Sequence, residues 1–354
     1  MAVVAFVGIC MADRISVLPA VAALRVDGKQ TAERQFVRGG GNGANSAVQC
    51  ARLGGAPRLL SKVGADEMGR KLIDELRAER VDCARVTVAR PEEGATPACD
   101  IIVAGATRTI ISMPYSDRVA DLDVAADGLD DIALDTFLRS ARVLCCDGRH
   151  PAAARAAAIR AKALGIFVLV EAEARASAPE ARVPLLQLLG LADGVVCSED
   201  YPALFHGSDV SAYTDSLVSL WRALQSMLQT DAPKARFIVV TRGARGCLAL
   251  EASRAGGVAP GKDSADGLTR VEVPAFMLPA DQPVADTTGA GDAFLGALAT
   301  CLAEDVPLGE ALPVACWAGA QNCCAEGARG GMPALSQCPL ELGFSRSAKR
   351  ARTH

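Results

Sequence analysis

Asp286-Thr287-Thr288-Gly289-Ala290-Gly291-Asp292 reads as a glycine-loosened turn that runs straight into a helix, predicted over Ala293–Ala303, with a carboxylate at the junction. The N-terminus of a helix presents backbone N–H groups that have no intrahelical acceptor, and it carries a partial positive charge. Such an end holds phosphate oxygens. Gly289, Ala290 and Gly291 therefore form a candidate anion hole, since the two glycines let an anion approach where a side chain would block it. Asp292 then stands beside an anion site, where a carboxylate is repelled unless it has a task. The natural task is to accept the proton of an attacking hydroxyl, as the aspartate of phosphoryl-transfer enzymes does. A plainer reading of the same residues has Asp286 capping the turn and Asp292 in a first helical turn, where acids are favoured.

A second glycine cluster lies near the start of the chain. Arg38-Gly39-Gly40-Gly41-Asn42-Gly43-Ala44-Asn45-Ser46-Ala47 precedes an apolar run through Leu53 that closes with Gly54-Gly55. Together the two clusters resemble the signatures of the ribokinase, or PfkB, family of carbohydrate and nucleoside kinases. The early cluster resembles the family's Gly-Gly…Asn sugar-binding element, and the late one its Asp-Thr-x-Gly-Ala-Gly-Asp element. The resemblance spans roughly residues 3–333. It implies a ribokinase-like α/β/α sandwich with a mostly parallel central sheet and a small β-sheet lid. It also implies ATP-dependent phosphorylation of a hydroxyl on a small ketohexose- or ribose-like sugar, with ATP and Mg2+ as cofactors, and a homodimer formed through the lid.

Length and composition are those of a cytoplasmic enzyme. The chain has 354 residues, 50% apolar and 22% charged, which suits a single kinase domain over 1–345 followed by a short basic tail, 346–354. A net charge of −4 gives no footprint for nucleic acid or an anionic membrane. Thirteen cysteines are an odd number, their adjacent pairs are not Cys-x-x-Cys, and only three histidines accompany them. Zinc needs ligands spaced to converge on one tetrahedron, and Met1 to Met11 reads as an apolar strand-length run without a basic leader, so most of these cysteines read as small buried hydrophobes. No apolar run reaches the length of a membrane span.

Along the chain, short apolar runs alternate with helical ones. Val3–Ile9, Arg58–Val63, Val143–Cys146, Phe167–Glu171, Gly194–Cys197 and Phe237–Thr241 read as buried parallel strands. Helices are predicted over Asn45–Leu53, Met68–Arg80, Pro151–Leu164, Ser216–Gln229, Ala293–Ala303 and Leu308–Cys324, the pattern of a doubly wound sandwich. Arg14–Leu18, Glu33–Val37, Ala98–Ala104 and Arg108–Met113 read as strands with no helix of the same pattern between them, the last two joined by a hairpin turn at Gly105-Ala106-Thr107. The resemblance assigns these four to the lid. Glu251 to Arg270, rich in Gly, Ala, Ser and Asp, reads as an exposed loop. Two short patterns are accidental. Gly39-x-Gly41-x-x-Ala44 does not follow the first buried strand as a dinucleotide fingerprint must, and Gly256-x-x-x-x-Gly261-Lys262-Asp263 lacks the hydroxyl residue of a P-loop.

The resemblance assigns roles residue by residue. Asp13, in the Gly8-Ile9-Cys10-Met11-Ala12-Asp13 strand exit, matches an acid that accepts sugar hydroxyls; otherwise it is an ordinary turn aspartate. Gly40 and Gly41 would let the sugar pass close to the backbone, with Asn42 and Asn45 as hydrogen-bonding partners or as a helix cap. Arg108 matches an arginine that ketohexokinase-like members point toward substrate and phosphates, although alone it also reads as a solvated edge charge; Arg149, in Asp147-Gly148-Arg149, resembles their Glu-Gly-Arg segment at the sheet edge where substrate binds. Thr241, Gly243 and Gly246 resemble the family's nucleotide turn, with Thr288, Gly289 and Gly291 at the phosphates; a plain hairpin fits the first three equally.

Asp286 and the Thr288 carbonyl resemble the family's monovalent-cation site, with K+ as its ion. Ser198-Glu199-Asp200-Tyr201 departs from the family's Asn-x-x-Glu, which leaves Glu199 as the nearest carboxylate for magnesium through water. Together with Asp147-Gly148-Arg149-His150 and Glu171-Ala172-Glu173, this departure resembles the ketohexokinase-like branch, its plant-type members most. A nucleoside kinase on the same fold and a non-catalytic sugar sensor remain as rival readings. An intact Asp292 between its glycines argues against the sensor.

Overall fold

Val4 and Phe6 of β1 (Val3–Val7) face one side of a sheet, Ala5 and Val7 the other, and all four are buried, as a strand covered on both faces requires. The computed structural model describes residues 1–19, 27–104, 107–114, 116–172, 179–199, 201, 236–252 and 268–344. Among them, β1 pairs in parallel with β4 (Ala56–Val63) and β8 (Ala141–Cys146), which makes it an interior strand. β4 continues to β5 (Asp82–Val88), and β8 continues through β9 (Phe167–Ala172) and β10 (Gly194–Ser198) to β11 (Phe237–Thr241), all in parallel. Two antiparallel strands, β12 (Cys247–Ala252) and β13 (Leu268–Val273), complete a nine-stranded sheet.

One face of this sheet is covered by α1 (Asn42–Arg52), α2 (Glu67–Ala78), α6 (Ala290–Ala303) and α7 (Leu308–Asn322). The other is covered by α3 (Asp131–Leu138), α4 (Pro151–Ala163) and α5 (Pro179–Leu189). α4 turns Ala153, Ala154, Ala157, Ala158 and Ala161 inward, small side chains that let it lie close on the strands. α2 starts where its periodic apolar face does. Asp66 caps it by accepting from the Gly69 N–H at 2.7 Å, an interaction that contributes about 0.5–2 kcal/mol.

A second, four-stranded sheet runs in the order β3 (Arg34–Gly40), β2 (Met11–Val17), β6 (Ala98–Ala104), β7 (Thr107–Ser112). These are the four expected lid segments, with β2 beginning at Met11 and β3 running on to Gly40. The β6–β7 hairpin pairs Ala104 with Thr107, so Thr107 belongs to the strand.

The sheet order reverses between β1 and β8. Chain segments that follow β1 build outward through β4 and β5; those that follow β8 build the other way. Open α/β sheets bind ligands beyond the carboxyl ends of the strands at such a reversal.

Two expectations need correction. The stretch from Glu251 to Arg270 is not one exposed loop, because its ends are strand: β12 reaches Ala252 and β13 starts at Leu268. Asp13 is not a turn residue, for it lies within β2 and is buried. β5, α3 and α5 were not expected as elements. The helix predicted over Ser216–Gln229, the P-loop-like pattern at 256–263 and the basic tail lie outside the described residues.

Candidate active site

At the β1/β8 reversal a cavity of about 530 Å³ opens between the carboxyl ends of the strands and the small sheet. β2 and the start of α1 supply Asp13, Gly41, Asn42 and Asn45; the lid supplies Arg108. The segment after β8 supplies Arg149, and the turn before α6 supplies Thr288, Gly289, Gly291 and Asp292. The two glycine clusters thus meet in one place. A larger cavity of about 870 Å³ lies at the opposite edge, beside Gly165, Arg236 and other residues that precede β9 and β11, and it contains none of the motif residues. The chemistry, not the volume, identifies the smaller one.

The turn before α6 has the backbone geometry expected of it. Gly289 is the N-cap of α6 with φ +76°, and a Cβ there would lie 2.2 Å from the Ala328 carbonyl oxygen, so only glycine fits. A Cβ on Gly291 would meet no protein atom within 4 Å, because that direction is the cavity itself. Asp286 shapes the turn: Oδ1 accepts from the Thr288 N–H at 2.9 Å and its hydroxyl at 2.7 Å, and Oδ2 accepts from the Gly327 N–H at 2.9 Å. Asn322 Nδ2 donates to the carbonyls of Thr288 and Ala328, at 2.9 and 3.1 Å. Ala290 opens α6 behind the turn.

Asp292 is buried at the mouth of α6 with 9% of its surface exposed. Asn45 Nδ2 donates to its Oδ2 at 2.7 Å, and the Ser46 hydroxyl donates to its main-chain oxygen at 3.1 Å. Neighbouring residues on α1 thereby fix both the carboxylate and the backbone behind it.

Asp13 forms the lid side of the site. Burial pushes its carboxyl above the usual value of 3.8, while a hydrogen bond from the Cys99 thiol at 3.2 Å and the charge of Arg329 pull the other way. A Cβ on Gly40 would lie 2.3 Å from the Asp13 oxygens. The structure therefore gives Gly40 a different immediate role from the one expected: it makes room for Asp13 across the β2–β3 pair, and Gly41 is the glycine at the cavity. Asn42 is the first residue of α1 rather than its cap, and its Nδ2 donates to Glu171 Oε2 at 3.2 Å. Arg108 reaches from β7 to the Thr287 hydroxyl, so the lid touches the anion turn.

Asp147 holds the floor together. Its carboxylate accepts from the N–H groups of Ile9 at 2.8 Å, Gly43 at 3.0 Å and Arg149 at 2.9 Å, tying the ends of β1 and β8 to the start of α1. Full burial raises its pKa, against the pull of the Arg149 and Ile9 N–H groups and of the charges of His150 and Arg149.

The remaining candidates stand apart from the cavity wall. Thr241 ends β11 and Gly243 and Gly246 lie in the turn from β11 to β12, at the same carboxyl edge of the sheet. Glu199, beyond β10, is ion-paired with Arg245 of that turn. Among the described residues no group of three or more His, Cys, Asp or Glu is placed to hold a metal, and all thirteen cysteines are free, eleven of them buried. No described helix is long and apolar enough to cross a membrane.

Two arginines had not been foreseen. Arg118 lines the cavity with its side chain buried, 3.6 Å from Asp121, and no sequence pattern marks it. Arg329 does carry a signal, a lone cation inside Gly327-Ala328-Arg329-Gly330-Gly331; its Nε donates to Asn45 Oδ1 at 2.6 Å.

A doubly wound sheet, a small second sheet, and a glycine turn at a helix start with a carboxylate beside it are the arrangement of an ATP-dependent sugar kinase, and the chain's relatives agree. The chain belongs to the pfkB family of carbohydrate kinases, whose family model matches residues 1–335. It is 28% identical to mouse (Mus musculus) ribokinase over 345 residues, 96% of this chain and 95% of that protein. It is 31% identical to maize (Zea mays) fructokinase-1 over 273 residues, covering 75% of this chain and 74% of the other. Its fold matches ribokinase from Giardia lamblia with a TM-score of 0.75 at 16% identity, over 100% and 99% of the two chains. It also matches Arabidopsis thaliana ribokinase complexed with ribose and ATP, with a TM-score of 0.71 at 19% identity, over 98% and 100%.

Proposed function

We propose that this protein transfers the γ-phosphoryl group of ATP to a hydroxyl of a small ketohexose- or ribose-like sugar, with Asp292 as the general base. The observation that carries this reading is the meeting, in one cavity, of an acid on a helix N-terminus with a second acid, Asp13, under the lid. The sugar hydroxyl gives its proton to Asp292 as its oxygen attacks the γ-phosphorus. The bond from that phosphorus to the bridging oxygen breaks and ADP leaves. The N–H groups of the Gly289–Asp292 turn would stabilise charge on the phosphoryl oxygens, with Arg108 and Arg149 beside them. Asp13 would accept hydroxyls at the other end of the sugar, assisted by Gly41, Asn42 and Asn45.

The turn at Thr241, Gly243 and Gly246 would take the nucleotide. Magnesium would be held through the phosphates and water, since Glu199 is already paired with Arg245. The Asp286 and Thr288 oxygens expected to bind a potassium ion already accept protein N–H and O–H groups. They hold the turn, their remaining lone pairs are those a potassium ion would use, and no step depends on the ion. Residues 1–345 would act as one catalytic unit, and Ile111, exposed on the face of β7 opposite the cavity-lining Ile110, offers a lid surface for a second copy. Likeness to proteins named for a sugar, maize fructokinase-1 and mouse ribokinase, supports a sugar rather than a nucleoside as acceptor. An ADP-release screen of purified protein across ketohexoses, pentoses and nucleosides tests the reading. Turnover dependent on a sugar is expected, and turnover on nucleosides alone would overturn it.

A further inference from the structure

Arg329 lies in the segment after α7 and is absent from the cavity wall, yet its side chain turns toward the catalytic centre. Nε donates to Asn45 Oδ1 at 2.6 Å, and a terminal nitrogen donates to the Gly40 carbonyl at 3.2 Å. The opposite end of the Asn45 amide donates to Asp292 Oδ2 at 2.7 Å. A guanidinium has donors only, whereas an amide has one end of each kind. Arg329 can therefore engage only the oxygen of Asn45, and that choice turns the NH2 toward Asp292. We propose that Arg329 is a positioning residue for the base: by fixing the direction of the Asn45 amide, it keeps Asp292 ionised and aimed at the acceptor hydroxyl. The proposal rests on the reading of Asp292 as the base.

Three features support it. The glycine run makes room for the arginine, since a Cβ on Gly39 would lie 2.4 Å from one of its terminal nitrogens. The guanidinium also sits among acids from three elements, Glu75 of α2, Asp13 of β2 and Asp292 of α6, together with the thiol of Cys10. One cation there offsets the repulsion between the two carboxylates that the reaction needs in one cavity. Finally, the segment is anchored without this side chain: the carbonyls of Arg329 and Met332 accept from Arg52 at 2.8 and 2.9 Å. Truncating Arg329 should therefore spare the fold.

The test compares Arg329→Met, Arg329→Lys, Asn45→Ala and the Arg329→Met/Asn45→Ala double variant on the sugar found in the screen. In Arg329→Met, kcat should fall about tenfold or more, the size of a lost hydrogen bond to a charged group, with the KM for ATP unchanged. The acid limb of its kcat profile should move to higher pH, because a cation facing Asp13, Asp292 and Glu75 has gone. Arg329→Lys keeps the charge and should restore the limb and part of kcat. Because the two side chains position the base through one chain of bonds, the double variant should be no slower than Asn45→Ala alone when kcat is compared on the plateau above the acid limb. Additive losses, or an Arg329→Met kcat within about twofold of wild type, overturn the proposal.

Asn45→Asp keeps Arg329 but presents oxygen to Asp292, and it decides the matter if the Met variant does not fold. Turnover at or below that of Asn45→Ala is expected, and wild-type turnover contradicts the proposal. A wild type inactive on every acceptor overturns the kinase reading and this inference together. An active wild type with an indifferent Arg329 overturns the inference alone.

Discussion

Asn45 Nδ2 stands 2.7 Å from Asp292 Oδ2, a hydrogen bond that joins two residues 247 positions apart and brings the early and late glycine clusters into one site. Both partners are buried at the cavity wall, which strengthens the bond relative to one made in open water. An amide donor favours the ionised carboxylate, the form that can accept a proton. The bond therefore acts on geometry and on charge together.

Asp13 carries a pH prediction. Its folded pKa is raised by burial, so protonation sets in at a higher pH than for an ordinary aspartate, and the charged acceptor is lost as pH falls through that raised value. The KM for the sugar should climb on the acid side before an exposed carboxylate would titrate, and Asp13→Asn should flatten the climb. The same sign governs stability. The native state holds its proton more tightly than the unfolded chain, so this group's contribution falls as pH rises from 3.8 through the raised value. A sugar KM independent of pH through this range would separate Asp13 from the substrate.

Gly289→Ala should lower stability rather than chemistry alone. It places a Cβ 2.2 Å from the Ala328 oxygen at φ +76°, and strain of this kind costs about 1–3 kcal/mol, more if the contact cannot relax. A thermal melt checks it, with a Tm below that of wild type expected. An unchanged Tm would mean that the turn has freedom the structure does not show.

Gly291→Val should have the opposite profile. Its Cβ meets no atom within 4 Å outside its own helical turn, so the melt should stay close to native, while the KM for ATP rises because phosphate space is filled. A native melt with unchanged ATP kinetics would remove the phosphates from this turn.

How far the sequence could be read depended on the kind of signal each residue carried. Parallel strands buried on both faces announce themselves as apolar runs, which is why β1, β8, β9, β10 and β11 stood out. β5, Asp82-Cys83-Ala84-Arg85-Val86-Thr87-Val88, is an edge strand of mixed polarity, and it carried no such mark. β12 and β13 were obscured because the stretch between them is rich in small polar residues.

The site was legible where backbone chemistry demanded glycine, at Gly289 and Gly41, and where an acid stood beside an anion turn. Arg118 was not, because nothing local distinguishes an arginine that folding brings to a cavity from one left in solvent. Gly40 was assigned to the ligand, whereas its neighbour is the Asp13 carboxylate; only the β2–β3 register reveals that contact.

The central claim is that Asp292 takes the proton of the acceptor hydroxyl, and Asp292→Asn tests it most directly. The amide preserves size and hydrogen bonding but cannot accept the proton. ADP release with a saturating sugar should fall by about two to four orders of magnitude, with the melt and the affinity for ATP close to wild type. Turnover within a few-fold of wild type in a folded Asp292→Asn protein would contradict the account.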